Sequence, residues 1–260
     1  VSSGLDPSLL AEADDRLAAI RSRIERACAT AGRNPTEVSL VGACKRQPAD
    51  RIAALVCAGL SELGENYVQS AITTQAELGA RLQDHFGEAG APTPRWRMIG
   101  HLQRNKAAQA VETFGAVDSV DSARLARALA TRAREAGTVL DICLQVNLSG
   151  EKSKSGCAEE EIGGLFAACA ELSDLRVVGL MTLPAPGSGP EDARPAFARL
   201  RALRDTLSRE PGGADLHHLN MGMSRDLEIA IEEGSTLVRV GTDLFGERPT
   251  GGRNAEPSTI

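Results

Sequence analysis

The stretch VSLVGACK (38–45) and the PADRIAALVCAG (48–59) that follows it decide the fold. The first is a short apolar run of strand type; the second carries apolar residues at helical spacing. Working outward, the same pair of patterns recurs. Strand-like segments lie at 60–65 (LSELGE), 95–100 (RWRMIG), 115–120 (GAVDSV), 139–147 (VLDICLQVN), 176–183 (RVVGLMTL), 216–222 (LHHLNMG) and 236–241 (TLVRVG). Helical patterns separate them, including 121–137 (DSARLARALATRAREAG) and 223–234 (MSRDLEIAIEEG). With VSLVGAC this gives eight strands, each followed by helix-like sequence, with the last left open. Regular βα alternation implies a parallel sheet. Eight such units in 260 residues suit a closed (β/α)8 TIM barrel, with a doubly wound open sheet as the alternative.

One helix precedes the first strand. Asp6-Pro7 supplies a cap and a preset first-turn φ, and Leu10, Ala13, Leu17, Ile20, Ile24 and Ala27 form one apolar face that ends before Gly32 and Pro35. Two Pro/Gly-rich loops stand out at 90–95 (GAPTPR) and 184–195 (PAPGSGPEDARP). No repeat or linker divides the chain. Residues 1–247 are expected to form one barrel domain and the polar 248–260 a flexible tail.

Composition limits the function classes. With 42% apolar and 25% charged residues the chain can bury a large core. No run approaches the roughly 20 apolar residues that span a membrane. The amphipathic, acidic N-terminus lacks the pattern of a secretory signal, so the expected location is cytoplasmic. A net charge of −6 gives no global attraction for nucleic acid or acidic membranes. The six cysteines, Cys28, Cys44, Cys57, Cys143, Cys157 and Cys169, contain no C-x-x-C pair and mostly lie in apolar segments. They read as buried free thiols. His85, His101, His217 and His218 lack metal-ligand spacing as well, so no metal site is expected.

In a (β/α)8 barrel the functional side chains sit at the C-terminal ends of the strands. Lys45 closes the first strand there. On position alone a strand-end lysine reaching water is the commoner case. Partial desolvation would instead favour the neutral, nucleophilic amine that a Schiff base needs. LNMGMSRD (219–226) leaves its strand through Gly222 to Ser224, an expected helix N-cap, and VRVGTDLFG (238–246) leaves through Gly241 and Thr242. Barrels often bind phosphate with the loops after strands seven and eight, so both loops together outweigh the turn-and-cap reading of either. Arg239 lies within the last strand, where a guanidinium facing the bore needs a partner. That partner is either a structural carboxylate or a ligand ring nitrogen, whose protonation the charge would disfavour.

The motifs VGACKRQP, LGENYVQ, WRMIGHLQRNK, VDSVDSARLA, QVNLSGEKSKSG, VVGLMTLPAP and LNMGMSRDLEIAIEEGSTLVRVGTDLFG together resemble the YggS/PROSC family of pyridoxal phosphate (PLP) homeostasis proteins, over about residues 10 to 247. The resemblance implies a barrel like the alanine racemase N-terminal domain, with an extra N-terminal helix. It also implies pyridoxal 5'-phosphate as a Schiff base on a lysine, and a role in PLP and amino-acid homeostasis without established turnover. Residue by residue, Lys45 matches the PLP-bearing lysine and Arg239 the arginine near the pyridine nitrogen. Ser224, Gly241 and Thr242 match phosphate-binding positions, Met223 supplies backbone beside them, and Asn66 matches a position near the cofactor. The chain departs from the family at Cys44 and Asn220, where serine is common.

Other motif residues carry weaker signals. Lys152 and Lys154 read as a solvated basic loop or as PLP-handling groups, and Arg104 and Lys106 stand at a helix start near the mouth. Trp96 reads as barrel packing. One rival function is a PLP-dependent amino-acid racemase. In racemases of this fold a tyrosine from a second domain supplies the second base, whereas the single tyrosine here is Tyr67 in GENYVQ. Another rival is a cofactor-free Schiff-base lyase acting on a sugar phosphate. The expected partners are PLP, PLP-dependent apoenzymes and amino acids, with no nucleic acid and no membrane. Without a racemase-type second domain the expected state is a monomer.

Overall fold

A computed structural model describes residues 4–87, 90–150, 155–185, 187 and 189–247. Its centre is a closed, all-parallel barrel in which neighbours follow chain order. The strands are β1 (Ser39–Ala43), β2 (Glu62–Glu65), β3 (Arg95–Met98), β4 (Ala116–Val120), β5 (Leu140–Gln145), β6 (Leu175–Met181), β7 (His218–Met223) and β8 (Leu237–Val240). The ring is completed by β1 against β8, with Val41 opposite Arg239, and this pairing excludes the open-sheet alternative. All eight strands fall where the apolar runs predict. Parallel strands are buried on both faces, so they read as nearly continuous apolar sequence. Every residue of β4, β5 and β8 is buried.

The helices are α1 (Pro7–Ala31), α2 (Ala49–Cys57), α3 (Val68–Phe86), α4 (Ala107–Thr113), α5 (Ala123–Glu135), α6 (Ile162–Ala170), α7 (Arg194–Leu207), α8 (Leu227–Glu232) and α9 (Thr242–Phe245). Asp6 caps α1 by accepting from Ser8 N, and the apolar face from Ala13 to Cys28 is buried against α2, α8 and α9. Leu10 is only partly buried at its edge. Each fully buried leucine or isoleucine on that face contributes about 1.5–3 kcal/mol.

Two sequence expectations need correction, and one left open is settled. The last strand is followed by a helix, α9, of only four residues. The loop at 184–195 is not wholly irregular, because Pro190–Ala193 form a 3-10 turn that runs into α7. The helix expected from 223 begins only at Leu227. There β7 continues through Met223, held by a register shift against β8 between Asn220 and Met223. Gly222 makes that shift possible. Its φ is 95°, and a Cβ there would stand 2.5 Å from the Ala230 side chain.

All six cysteines are free and five are buried. Trp96 is buried, as packing predicts. Among the described residues no helix is long and apolar enough to cross a membrane, and no group of His, Cys, Asp or Glu could hold a metal ion. The 248–260 tail, Lys152 and Lys154 lie outside the described residues.

Candidate functional site

The C-terminal mouth of the barrel holds a cavity of about 480 Å³, within the roughly 300–1,000 Å³ usual for small-molecule sites. It brings together Lys45, Asn66, Met223, Ser224, Arg239, Gly241 and Thr242, every site residue expected from the sequence.

Lys45 stands two residues beyond β1, not at the strand's last position. The strand ends early because the chain must reverse towards Pro48. Gln47 N donates to Cys44 O at 2.8 Å, and Arg46 takes φ 59°, the one non-glycine residue with positive φ among those described. That conformation costs a side-chain-bearing residue roughly 1–2 kcal/mol. The half-buried Lys45 Nζ lies 5.5 Å from the centroid of the Tyr67 ring. Cys44, where the family has serine, faces the core instead, with its fully buried thiol donating to Gly42 O at 3.2 Å.

Asn66 follows β2, the strand paired with β1, and lines the same cavity as Lys45. Its loop packs against Gly100 so closely that a Cβ there would lie 2.3 Å from Asn66 O, and Ser119 Oγ fixes the glycine by donating to Gly100 O at 2.6 Å. Beside it Glu65 is almost wholly buried. Burial raises its carboxyl to about 7, against the opposing effects of the Asn66 N–H and the Lys45 charge.

Arg239 forms the floor. Its guanidinium is buried and makes no ion pair with any described carboxylate. Nη1 donates to the Asn220 backbone O at 3.0 Å and to the Asn220 side-chain Oδ1, and Nη2 donates to Thr182 O at 3.2 Å. Burial pushes it down to about 10, while the charges of Asp118 and Asp226 oppose that change, so it stays protonated at neutral pH. The structural salt bridge considered from the sequence is therefore absent among the described residues.

The remaining wall comes from the loops after β7 and β8. Ser224 is not the cap of α8; it sits in a turn closed by Asp226, whose Oδ1 accepts from Met223 N at 2.6 Å. With α8 six residues long and α9 four, a helix macrodipole contributes little here. The loops instead present local donors. Neither Ser224 N nor Thr242 N has a described acceptor, and the Ser224 and Thr242 hydroxyls stand beside them. From outside, Arg23 of α1 ties the turn after β7 to α9. Its Nη2 donates to Ser224 O at 2.7 Å and its Nη1 to Asp243 Oδ2 at 3.0 Å, and it also pairs with Glu228.

Sequence reasoning missed Arg23, Asp226 and Gly100, and also Arg97 and Asp118 in the bore beneath Arg239. The last two had a signal, a charged residue beside apolar ones within each of two adjacent strands. Arg104 lies exposed in a single 3-10 turn, Arg104–Lys106, ahead of α4.

The model of the alanine racemase N-terminal domain family matches residues 16–249, which agrees with the barrel and sets the class. Solved structures agree in fold. An alanine racemase of Clostridium difficile superposes with a TM-score of 0.64 at 16% identity, covering 91% of this chain and 57% of that one. PipY of Synechococcus elongatus, whose structure was solved with PLP bound, gives 0.77 at 34% identity, covering 90% of this chain and all of PipY. Proteins named pyridoxal phosphate homeostasis protein are 42% identical in Pseudomonas aeruginosa and 41% in Aquifex aeolicus. They cover 91% and 90% of this chain, and 96% and 97% of their own lengths. The chain belongs to the family of pyridoxal phosphate homeostasis proteins.

Proposed function

We propose that this protein holds pyridoxal 5'-phosphate reversibly on Lys45, as a Schiff base, and serves PLP and amino-acid homeostasis as a carrier without catalytic turnover. The observation that carries this reading is the convergence on one cavity of an amine, a buried guanidinium with no ion pair among the described residues, and two loops whose Ser224 and Thr242 N–H groups have no described acceptor. PLP, when bound, supplies an aldehyde that joins an amine reversibly. Each feature then has a task. Ser224, Gly241 and Thr242 would hold the phosphate by N–H and hydroxyl donors. Arg239 would face the ring nitrogen. Because a guanidinium only donates, it keeps that nitrogen unprotonated and so limits carbanion chemistry. Asn66 lines the same wall as Lys45. Its amide can donate to an oxygen on the ring.

A racemase-like activity needs acid/base groups on opposite faces of the substrate. Tyr67 lies against Lys45 itself, which favours the carrier reading. Its half-exposed position also leaves Lys45 open to incoming amines. Exchange with a free amine or another protein's lysine would then release the cofactor. We further infer that the protein acts in the cytoplasm as a monomer, delivering PLP to apoenzymes or amino acids.

The test is a visible spectrum of the purified protein after addition of PLP. A new absorbance band, lost in Lys45→Ala, is the expected result. A protein that remains colourless contradicts the reading. α-Proton exchange of amino acids in deuterated water checks turnover, and rapid exchange would restore the enzyme.

A further inference from the structure

We propose that Asp118 and Asn220 are positioning residues for Arg239, forming with Arg97 a hydrogen-bonded column across the barrel bore that fixes the guanidinium at the cavity floor. The inference rests on the reading that Arg239 faces the ring of a bound cofactor, and it assigns work to residues that never reach the cavity.

The column is continuous from β2 to β8. Glu62 Oε2 of β2 accepts from Arg97 Nη1 of β3 at 3.2 Å. Arg97 grips Asp118 of β4 with two bonds, Nε to Oδ2 at 2.7 Å and Nη2 to Oδ1 at 2.8 Å. Asn220 of β7 donates from Nδ2 to the same Asp118 Oδ2 at 2.8 Å, and its Oδ1 accepts from Arg239 of β8. Asp118 and Asn220 are fully buried, and Arg97 and Arg239 nearly so.

The order of groups explains the choice of side chain. An ionised carboxylate can only accept and a guanidinium can only donate. The residue between Asp118 and Arg239 must therefore donate at one end and accept at the other, which fixes the orientation of the Asn220 amide. A carboxylate there would neutralise Arg239 by direct contact and repel Asp118. An apolar residue would leave two buried groups unsatisfied. Asparagine keeps Asp118 at one remove, close enough for its charge to favour the guanidinium and too far to pair with it.

The geometry also counts donors. Of the five N–H groups of Arg239, two on Nη1 and one on Nη2 are used by Asn220 and Thr182. The Nε–H and one Nη2–H have no described acceptor and remain for a ligand in the cavity that Arg239 lines. Loosening Asn220 should release the guanidinium from this pose. A ring above it would then lose a fixed positive charge, and the bound chromophore would hold its proton to higher pH.

The experiment titrates the visible band of the PLP-loaded protein with pH and measures PLP affinity. It uses wild type, Asn220→Ala, Asn220→Ser, Arg239→Gln and the Asn220→Ala/Arg239→Gln double variant, with circular dichroism to establish folding. Asn220→Ala is expected to raise the titration midpoint by about one pH unit and to weaken PLP binding about tenfold. Asn220→Ser, which keeps a donor and an acceptor, should shift both in the same direction by less. Arg239→Gln should raise the midpoint too, and the double variant should go no further than Arg239→Gln alone. Unchanged midpoints in folded Asn220 variants, or fully additive shifts in the double variant, overturn the proposal. Should Asn220→Ala not fold, Asn220→Ser decides by the same midpoint. A wild type that forms no visible band rejects the cofactor reading itself, an outcome distinct from a band that ignores Asn220.

Discussion

Two parts of the cavity lining are built in opposite ways. At the floor, Arg239 is held from within the barrel by fully buried side chains on β4 and β7. At the phosphate-type wall, Ser224, Gly241 and Thr242 sit in short loops braced from outside by Arg23 of α1. The floor presents one charge in a fixed pose. The wall presents backbone and hydroxyl donors carried on short segments after the strands. Fixed charge suits a ring whose protonation must be controlled, and several N–H and hydroxyl donors together suit a tetrahedral anion.

The contrast is open to breakage, and the largest effect is expected at the floor. Asp118→Ala strips Arg97 of its bidentate partner in the bore and should destabilise the fold by about 3–5 kcal/mol in urea unfolding. A loss below about 1 kcal/mol would mean that water reaches the column.

Glu65, beside the amine, should make stability depend on pH. Its folded value of about 7 lies above the ordinary 4.5, so the folded state holds the proton more tightly than the unfolded state. Its contribution is therefore fully present below about pH 4.5 and lost as pH rises to 7. Glu65→Gln removes this loss. Relative to wild type it should gain up to about 3 kcal/mol at pH 8 and little at pH 4.5, measured by denaturant melts across that range.

At the wall the effects are smaller. Arg23→Ala should weaken PLP binding about fivefold, the scale of one lost hydrogen bond of about 1 kcal/mol, and leave binding of pyridoxal, which lacks the phosphate, unchanged. Equal weakening of both ligands would show that α1 supports the fold and not the anion site. The smallest change concerns Arg46. Arg46→Gly relieves roughly 1–2 kcal/mol of left-handed strain and adds back about 0.5–1 kcal/mol of chain entropy, so a gain of about 0.5 kcal/mol in thermal stability is expected. A loss would indicate that the Arg46 side chain has contacts of its own that outweigh the strain.

The same contrast explains what could be read from the sequence. The eight strands were legible because parallel, doubly buried strands are mostly apolar and alternate regularly with helical patterns, and Lys45, Arg239, Ser224 and Thr242 because barrel chemistry gathers at strand ends and the loops beyond them. The column was half legible. Arg97 and Asp118 announce themselves as charges beside apolar neighbours in predicted strands, but their meeting with Asn220, 102 positions beyond Asp118, depends on how the barrel closes. Arg23 left no local trace, since it looks like any polar-face residue of an amphipathic helix and meets Ser224 201 residues later. The start of α8 was misjudged because Gly222 and Ser224 read as a turn and a cap, whereas the strand runs on through Met223.

The claim on which the rest depends is that Lys45 carries the cofactor. The chain has only four lysines, Lys45, Lys106, Lys152 and Lys154, so the site can be read directly. Borohydride reduction of the PLP-loaded protein, followed by peptide mass spectrometry, should place the reduced adduct on the peptide containing Lys45 and leave the other three unmodified at equimolar PLP. An adduct confined to another lysine, or none at all, would contradict the account.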